Sequence, residues 1–460
     1  MIYISAQPDE AYFLWQLELQ IFNFHSKGIL NNQIQILVGY NPTKGLHPAF
    51  KTFADQHMDV NIYFYPDTRI HKKYLSSLRP HLLAKHYHQY PELEAETIFY
   101  HDSDILLTQV PNWEILTEDD TWYVSDTRSY LDSKYIRQFM DESEFSKICS
   151  ILSIDPEEVK AHDQDAGGAQ YILKRCTAAF WEKVETDCER LFSYLYFQQK
   201  YGTRIHKDFQ IWCTDMWVIW WNTLLLKQDF RIHPLLNFSW ADSPIQNIKQ
   251  TVILHYTGRT RKDIFIFDKT RYQTHAPFYS DLSQIDYNTC SKFVADTIRA
   301  YRKLLDDRRC TIPDTAFLIP FTQDDIHGPS NIETIRKYYL RYWNVDIILT
   351  AQKEMQKYID QSVYKHILVI QSKWIIPVRE MQGIMKNLQI TPAGILSYPI
   401  KIYQMDPLGI HIFSEILDND YLEENQGKTI PRTTSAELTI YNMNGTNRIT
   451  NDKTVDIYGL

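Results

Sequence analysis

Cysteine and glycine are both scarce in this 460-residue sequence, with six of the first and 14 of the second. Cys149, Cys176, Cys188, Cys213, Cys290 and Cys310 form no C-x-x-C pair and follow no metal-ligand spacing. That pattern excludes zinc modules and a disulfide framework, so reduced thiols in a cytoplasmic protein are expected. Long apolar runs are missing as well. The most apolar stretch, residues 216–221, is far short of the roughly 20 residues that cross a bilayer. Residues 1–6 lack the basic leader of a signal peptide, so a soluble, unexported protein is expected. Basic charge is not in excess either: 48 Lys and Arg stand against 57 Asp and Glu, a net charge of -9. A nucleic-acid binder needs a basic face to neutralise phosphates, so that class is disfavoured. Short-period repeats are also absent.

The chain is otherwise that of an ordered globular protein, 44% apolar, 14% aromatic and 23% charged. At this length one hydrophobic core is not enough, and two domains of unequal size are expected. Its 31 tyrosines and 11 tryptophans suit surfaces that stack on sugars or bases, beside their ordinary role in packing. Residues 2–5 are β-prone, and after Pro8 and Asp9 the residues Leu14, Leu17, Ile21 and Phe24 recur at helical spacing. Strand-like runs at 34–38 and 61–65 flank a helical stretch at 48–56, which is the β-α-β alternation of a parallel sheet. A helix at 78–90 leads into an apolar strand at 97–100. His81, His86 and His88 on that helix are expected to be surface residues of an amphipathic segment rather than metal ligands.

Directly after that strand stands His101-Asp102-Ser103-Asp104, and Ile105 to Leu107 resume apolar character. Ligands in open α/β sheets sit beyond the carboxyl ends of the strands, so two carboxylates occupy the place where a ligand is expected. The departing diphosphate of a sugar nucleotide must be neutralised for its bond to break near neutral pH. A divalent cation such as Mn²⁺ or Mg²⁺, held by carboxylates, an imidazole and phosphate oxygens, does this. The run Phe99-Tyr100-His101-Asp102-Ser103-Asp104-Ile105-Leu106 resembles the Asp-x-Asp bend of GT-A glycosyltransferases. Alone it is a short motif that also occurs as a turn or cap.

Other segments extend the resemblance to glycosyltransferase family 8 over residues 2–262. His255-Tyr256-Thr257-Gly258 is similar to that family's His-x-x-Gly element. By that resemblance His255 joins Asp102 and Asp104 as third metal ligand, and Gly258 lets the backbone approach the diphosphate. The family follows the glycine by two residues and a lysine; here Arg259-Thr260-Arg261-Lys262 follow, leaving Arg261 or Lys262 for the phosphates. Asp163-Gln164-Asp165-Ala166-Gly167-Gly168-Ala169-Gln170 resembles the small-residue segment beside the donor sugar, which places Gly168 at the donor and makes Gln164 and Asp165 catalytic candidates. Thr214-Asp215-Met216-Trp217 resembles the acidic segment that holds sugar hydroxyls, with a helix-N-terminal carboxylate as the plain alternative for Asp215. Ala6 and Gln7 at the end of the first strand, with Arg79, are candidates for the nucleobase and ribose.

The resemblance implies a GT-A catalytic domain, a Rossmann-like mixed sheet flanked by helices, over residues 1–280. A linking helix at 281–310 and a smaller α/β domain at 311–460 follow. It also implies metal-dependent transfer from a nucleotide diphosphate sugar, UDP-linked by preference, with retention of configuration. The acceptor would be a glycan, a lipid-linked sugar or a protein, as in polysaccharide biosynthesis, with peripheral membrane contact compatible. An inverting enzyme would recast Asp215 or Asp165 as general base. A non-catalytic binder of carbohydrate or sugar nucleotide is the rival class. A glycoside hydrolase ranks behind both, because its two carboxylates come from separate segments. In the second domain, residues 317–321, 345–350 and 367–370 resemble the strands of a family 2 type GT-A domain, but Gln371-Ser372-Lys373 stands where the acidic pair belongs. The expectation is a degenerate module, with an ordinary α/β appendage as the alternative. The tail at 425–456, rich in Thr and Asn, is expected to be loosely packed.

Overall fold

The computed structural model describes residues 1–257, 265–273, 276–322, 328–388, 395–404, 430–442, 448–450 and 455–459. The chain divides into two compact units, Met1–Tyr272 with Asp281–Ile298, and Gln273–Ser280 with Arg299–Leu460. The division falls inside the helix Ser291–Arg308, within the segment the sequence marks as a link.

Unit 1 carries strands β1 (Ile2–Pro8), β2 (Ile34–Tyr40), β3 (Asn61–Pro66), β4 (Thr97–Tyr100), β5 (Ile105–Leu107), β6 (Trp122–Asp126), β7 (Gly167–Lys174), β8 (Phe230–Ile232), β9 (Phe238–Trp240) and β10 (Ile253–His255). Seven of them form a mixed sheet in the order β3-β2-β1-β4-β7-β6-β8. The first four are mutually parallel, β7 runs antiparallel to both β4 and β6, and β8 is parallel to β6.

Helices cover both faces, so the strands are apolar on both sides. Helices α1 (Ala11–Ser26) and α2 (Pro48–Gln56) pack Leu17, Ile21, Phe24, Phe50 and Phe53 on one face. Helices α3 (Leu78–Gln89), α4 (Ala178–Tyr201) and α5 (Thr214–Leu225) pack Leu82, Trp181, Trp217, Trp220 and Trp221 on the other. Each such side chain contributes roughly 1.5–3 kcal/mol by leaving water. Local signals set the helix starts. Pro48 takes the first turn of α2, where its missing N–H costs nothing, and Thr177 Oγ1 caps α4 by accepting from Phe180 N at 3.2 Å. The histidines of α3 depart from the sequence expectation, because His81 and His86 are buried. His86 bonds Tyr65 Oη and Gln35 Oε1, both at 2.7 Å, and His81 Nδ1 lies 2.9 Å from Glu185; only His88 is largely exposed.

A second small sheet, β5-β10-β9, fixes the site. Strand β10 runs antiparallel to β5, pairing His255 with Ile105, and parallel to β9, pairing His255 with Trp240. Residues far apart in sequence, Asp104 and His255, are thereby brought side by side.

Unit 2 holds β11 (Cys310–Phe321), β12 (Trp343–Ala351), β13 (His366–Val369), β14 (Trp374–Ile375), β15 (Ile395–Gln404), β16 (Ile430–Asn442), β17 (Arg448–Thr450) and β18 (Val455–Gly459). Its sheet runs β12-β11-β13-β16-β15-β18-β14, with β17 added on β15. The 425–456 tail is therefore not loose where it is described: β16 pairs with β15 over residues 430–441 and with β13 over residues 439–442. Backbone pairing here overrides a polar composition.

Candidate metal and sugar-nucleotide site

The bend after β4 is clamped from α1. Gln20 Nε2 donates to the carbonyls of Asp102 at 2.9 Å and Ser103 at 3.2 Å. Asn23 exchanges two hydrogen bonds with the backbone of Leu107. His101, buried beneath the bend, keeps its Nδ1 2.9 Å from the Asp102 carbonyl, and burial lowers its pKa to about 4. It is a neutral packing residue, not a ligand.

Above the bend, His255 Nε2 lies 3.2 Å from Asp104 Oδ1 and 3.6 Å from Asp102 Oδ2. One donor atom from each of Asp102, Asp104 and His255 falls within 4.8 Å of the others. Two carboxylates and an imidazole at this spacing fit a divalent cation of the Mn²⁺ or Mg²⁺ type. The imidazole is oriented from behind: Gln170 Nε2 approaches Nδ1 at 3.4 Å, Ser125 Oγ donates to Gln170 Oε1 at 2.8 Å, and Trp240 stacks on the ring at 5.5 Å between centroids. Such support behind a ligand sets its tautomer and direction.

Two cations complete the cluster. Arg79 Nη1 reaches Asp102 at 2.9 Å and Asp215 at 3.4 Å, and Lys269 Nζ reaches Asp104 at 2.5 Å. Burial alone would raise the Asp104 pKa, but Lys269 and His255 beside it outweigh burial and hold it well below the usual carboxylate range. Asp215, in the first turn of α5, is the opposite case: burial raises its pKa, partly offset by Arg79 and by the Tyr74 hydroxyl, which donates to it at 2.7 Å.

These groups line a cavity of about 210 Å³ together with Tyr100, Tyr130, Ala169, Tyr171, Trp212 and Trp240. A second cavity of about 430 Å³, at the ends of β1, β2 and β3, is lined by Ala6, Gln7, Asp9, Tyr12 and Arg69. It shares Ser76 and Arg79 with the first. The structure thus brings Asp102, Asp104, His255, Asp215 and Arg79 together, and sets Ala6 and Gln7 in the neighbouring cavity. Gly168 lies beneath the first cavity: a Cβ there would stand 3.2 Å from Met216, so the bare backbone makes room for α5 while Ala169, at φ 74, reaches the lining. Gln164 lines a different cavity, with Arg128, Lys134 and Lys160, and Asp165 Oδ1 accepts from Ile232 N at 3.4 Å. Neither lines the cavity of the acidic pair. Gly258, Arg261 and Lys262 lie outside the described residues. Lys269 and Tyr74 were not visible in sequence, since neither belongs to a motif and each acts through space; Gln170 ends the small-residue segment but was given no role there.

No protein-family model matches the sequence, and no curated protein matches it. Solved structures do. A bifunctional glycosyltransferase, WbbM, is 12% identical with a TM-score of 0.38, over 66% of this chain and 50% of that one, so the chain spans half its length. The galactosyltransferase LgtC, in complex with donor and acceptor sugar analogues, is 12% identical with a TM-score of 0.32, over 65% of this chain and 96% of that one. The glycosyltransferase GlyE of Streptococcus pneumoniae TIGR4 is 10% identical with a TM-score of 0.28, over 79% and 84%.

Proposed function

We propose that unit 1 is a metal-dependent glycosyltransferase that takes its sugar from a nucleotide diphosphate donor. The observation that carries this is the gathering of Asp102, Asp104 and His255 at the strand ends, opening on a cavity walled by aromatic rings and shared with a second cavity at the end of β1. A bound divalent cation would neutralise the departing diphosphate. The remaining work falls to the chain's own groups. The cavity lined by Ala6 and Gln7 takes the base and ribose, with UDP the favoured carrier. Asp215 accepts sugar hydroxyls, and Arg79 bridges it to Asp102, so sugar and diphosphate ends are positioned by one buried network. The aromatic walls exclude water and stack on the sugar.

In transfer with retention, the bond from the anomeric carbon to the diphosphate oxygen breaks. The acceptor oxygen bonds that carbon on the same face, and its proton passes to the leaving diphosphate. No dedicated base is then required, in keeping with the placement of Gln164 and Asp165 outside this cavity. Glycans, lipid-linked sugars and proteins are the acceptor classes.

Unit 2 supports the degenerate-module reading. Its strands β11, β12, β13, β15, β16 and β18 repeat the order and directions of β1, β2, β4, β6, β7 and β8. His101 N donates to Ile4 O at 3.0 Å, and Ile370 N donates to Leu318 O at 2.9 Å, which aligns Asp102 with Gln371 and Asp104 with Lys373. An ammonium there repels a cation.

Screening nucleotide sugars for Mn²⁺-dependent hydrolysis tests the assignment. Turnover that is lost in Asp104→Ala supports it; donor binding by the parent protein with no turnover on any donor, with or without metal, makes the protein a binder instead.

A further inference from the structure

Charge is unevenly spread over unit 1. In a chain with 57 acidic residues, none falls between Thr68 and Pro91, and none between Arg190 and Lys207. The two stretches meet in space. Lys73 Nζ sits 3.7 Å from the centre of the Tyr196 ring, Tyr74 stacks on Phe192 at 4.4 Å, and Tyr74 Oη lies 2.7 Å from the Trp212 carbonyl oxygen. Lys200 Nζ lies 5.7 Å from the same Tyr196 ring and 5.1 Å from the Tyr201 ring, so the stretches form one contiguous face on which His71, Lys72, Lys73 and Lys200 are exposed. Of these, Lys72 lies 3.1 Å from Asp67.

The same face exposes large apolar side chains. Ile70 is 91% exposed, Leu75 80%, Tyr201 66%, and Phe197 and Trp212 56% each. Scattered singly such residues need no explanation, but here they are interleaved with cations. Lysines that attract anionic headgroups, aromatic rings that settle at the headgroup level and aliphatic tips that enter the acyl region are what a surface lying on a lipid bilayer requires. A nucleic acid would use the cations and the rings, but would find no partner for Ile70 and Leu75. Among the described residues no helix is long and apolar enough to cross a membrane, so contact of this kind would be peripheral.

We propose that this face docks unit 1 on an anionic lipid surface. Ser76 and Trp212, at its edge, also line the cavity of the acidic pair. Docking therefore brings that cavity to the headgroups, and, on the transferase assignment above, points to an acceptor carried by a lipid. The docking itself does not depend on that assignment.

Co-sedimentation of the full chain with vesicles decides it. Vesicles of phosphatidylcholine with phosphatidylglycerol should carry the protein down and vesicles of phosphatidylcholine alone should not, with binding weakened by salt. Lys73→Glu with Lys200→Glu should weaken binding on the order of 100-fold. Ile70→Ser with Phe197→Ser should weaken it while leaving the salt dependence in place. All four positions are exposed or at the surface, and a thermal melt checks that the variants fold. Failure of the parent protein to bind the anionic vesicles, or binding indifferent to both variants, overturns the proposal. So does retardation of a single-stranded DNA oligonucleotide without vesicle binding, which would give the face to nucleic acid.

Discussion

Two sheets that share the order and directions of six strands stand in one chain, and they differ at their edges and at the strand ends where chemistry would occur. In unit 1 the strand β4 ends in His101-Asp102-Ser103-Asp104 and continues into β5, which pairs with the strand carrying His255. In unit 2 the strand β13 ends in Ile370-Gln371-Ser372-Lys373 and continues into β14, which pairs with β18, and no histidine lies on β18. The sheet tolerates either ending because strand pairing and the apolar layers beneath hold it together. On the proposed assignment, function rests on a few strand-end residues that the fold positions but does not demand.

The largest expected effect breaks this comparison most directly. Asp104→Asn should lower metal-dependent turnover on the order of 10³-fold, whereas Lys373→Ala should leave it unchanged. Comparable losses from the two, measured as kcat/KM for donor hydrolysis, would mean that unit 2 is not degenerate. Next comes Asp215→Asn, expected to cost roughly 10²-fold in kcat with a smaller change in donor KM, because it removes a charge that Arg79 ties to the acidic pair. An unchanged kcat would return Asp215 to the role of a helix N-terminal carboxylate.

Smaller again is the effect of the lysine that unit 1 keeps beside its acids. Lys269 reaches the Asp104 carboxylate that a bound divalent cation would also use, and like charges on one carboxylate oppose each other. Lys269→Met should therefore bind Mn²⁺ about tenfold more tightly than the parent in a nucleotide-free calorimetric titration. Equal or weaker binding would show that the ammonium supports the site instead of competing for it.

Much of this site was legible in sequence, and for a specific reason. Asp102 and Asp104 follow a short apolar strand directly, and strand ends are where open sheets bind ligands, so local pattern and position agreed. His255 was found only by resemblance, since its contact with Asp104 depends on the β5–β10 register, which no local pattern encodes. Gln164 and Asp165 were candidates by resemblance to the small-residue segment beside the donor sugar, and neither lines the cavity of the acidic pair. The β6–β7 register breaks between Val124 and Ser125 and Ala169 takes a positive φ, so it is Ala169 that lines the cavity while Gln164 lines another. Lys269 had no signal at all. Burial of His81 and His86 was missed because each is made tolerable by polar partners on other elements, Glu185 for one and Tyr65 with Gln35 for the other.

The alignment that sets Asp104 against Lys373 also sets His101 against Ile370, and both of these are buried. If the correspondence is physical, an isoleucine should fill the histidine's place. Burial lowers the His101 pKa to about 4, and its Nε2 has no hydrogen-bond partner among the described residues, so the native state holds the ring neutral. The unfolded chain takes up that proton near pH 6.5, so the stabilisation is complete above that pH and is lost as pH falls towards 4, by up to about 3 kcal/mol. Between pH 7 and pH 6 the loss is under about 1 kcal/mol, the smallest effect in this set. His101→Ile should remove this share of the acid sensitivity while changing stability at pH 7 by about 1 kcal/mol or less, the scale of its bond to the Asp102 carbonyl. Urea unfolding of the parent and the variant at several pH values, followed through the tryptophans packed on α4 and α5, measures the difference. Parallel slopes in the two proteins would mean that His101 does not titrate in this window. A collapse of the variant at pH 7 would mean that the two strand ends are not interchangeable even in their packing.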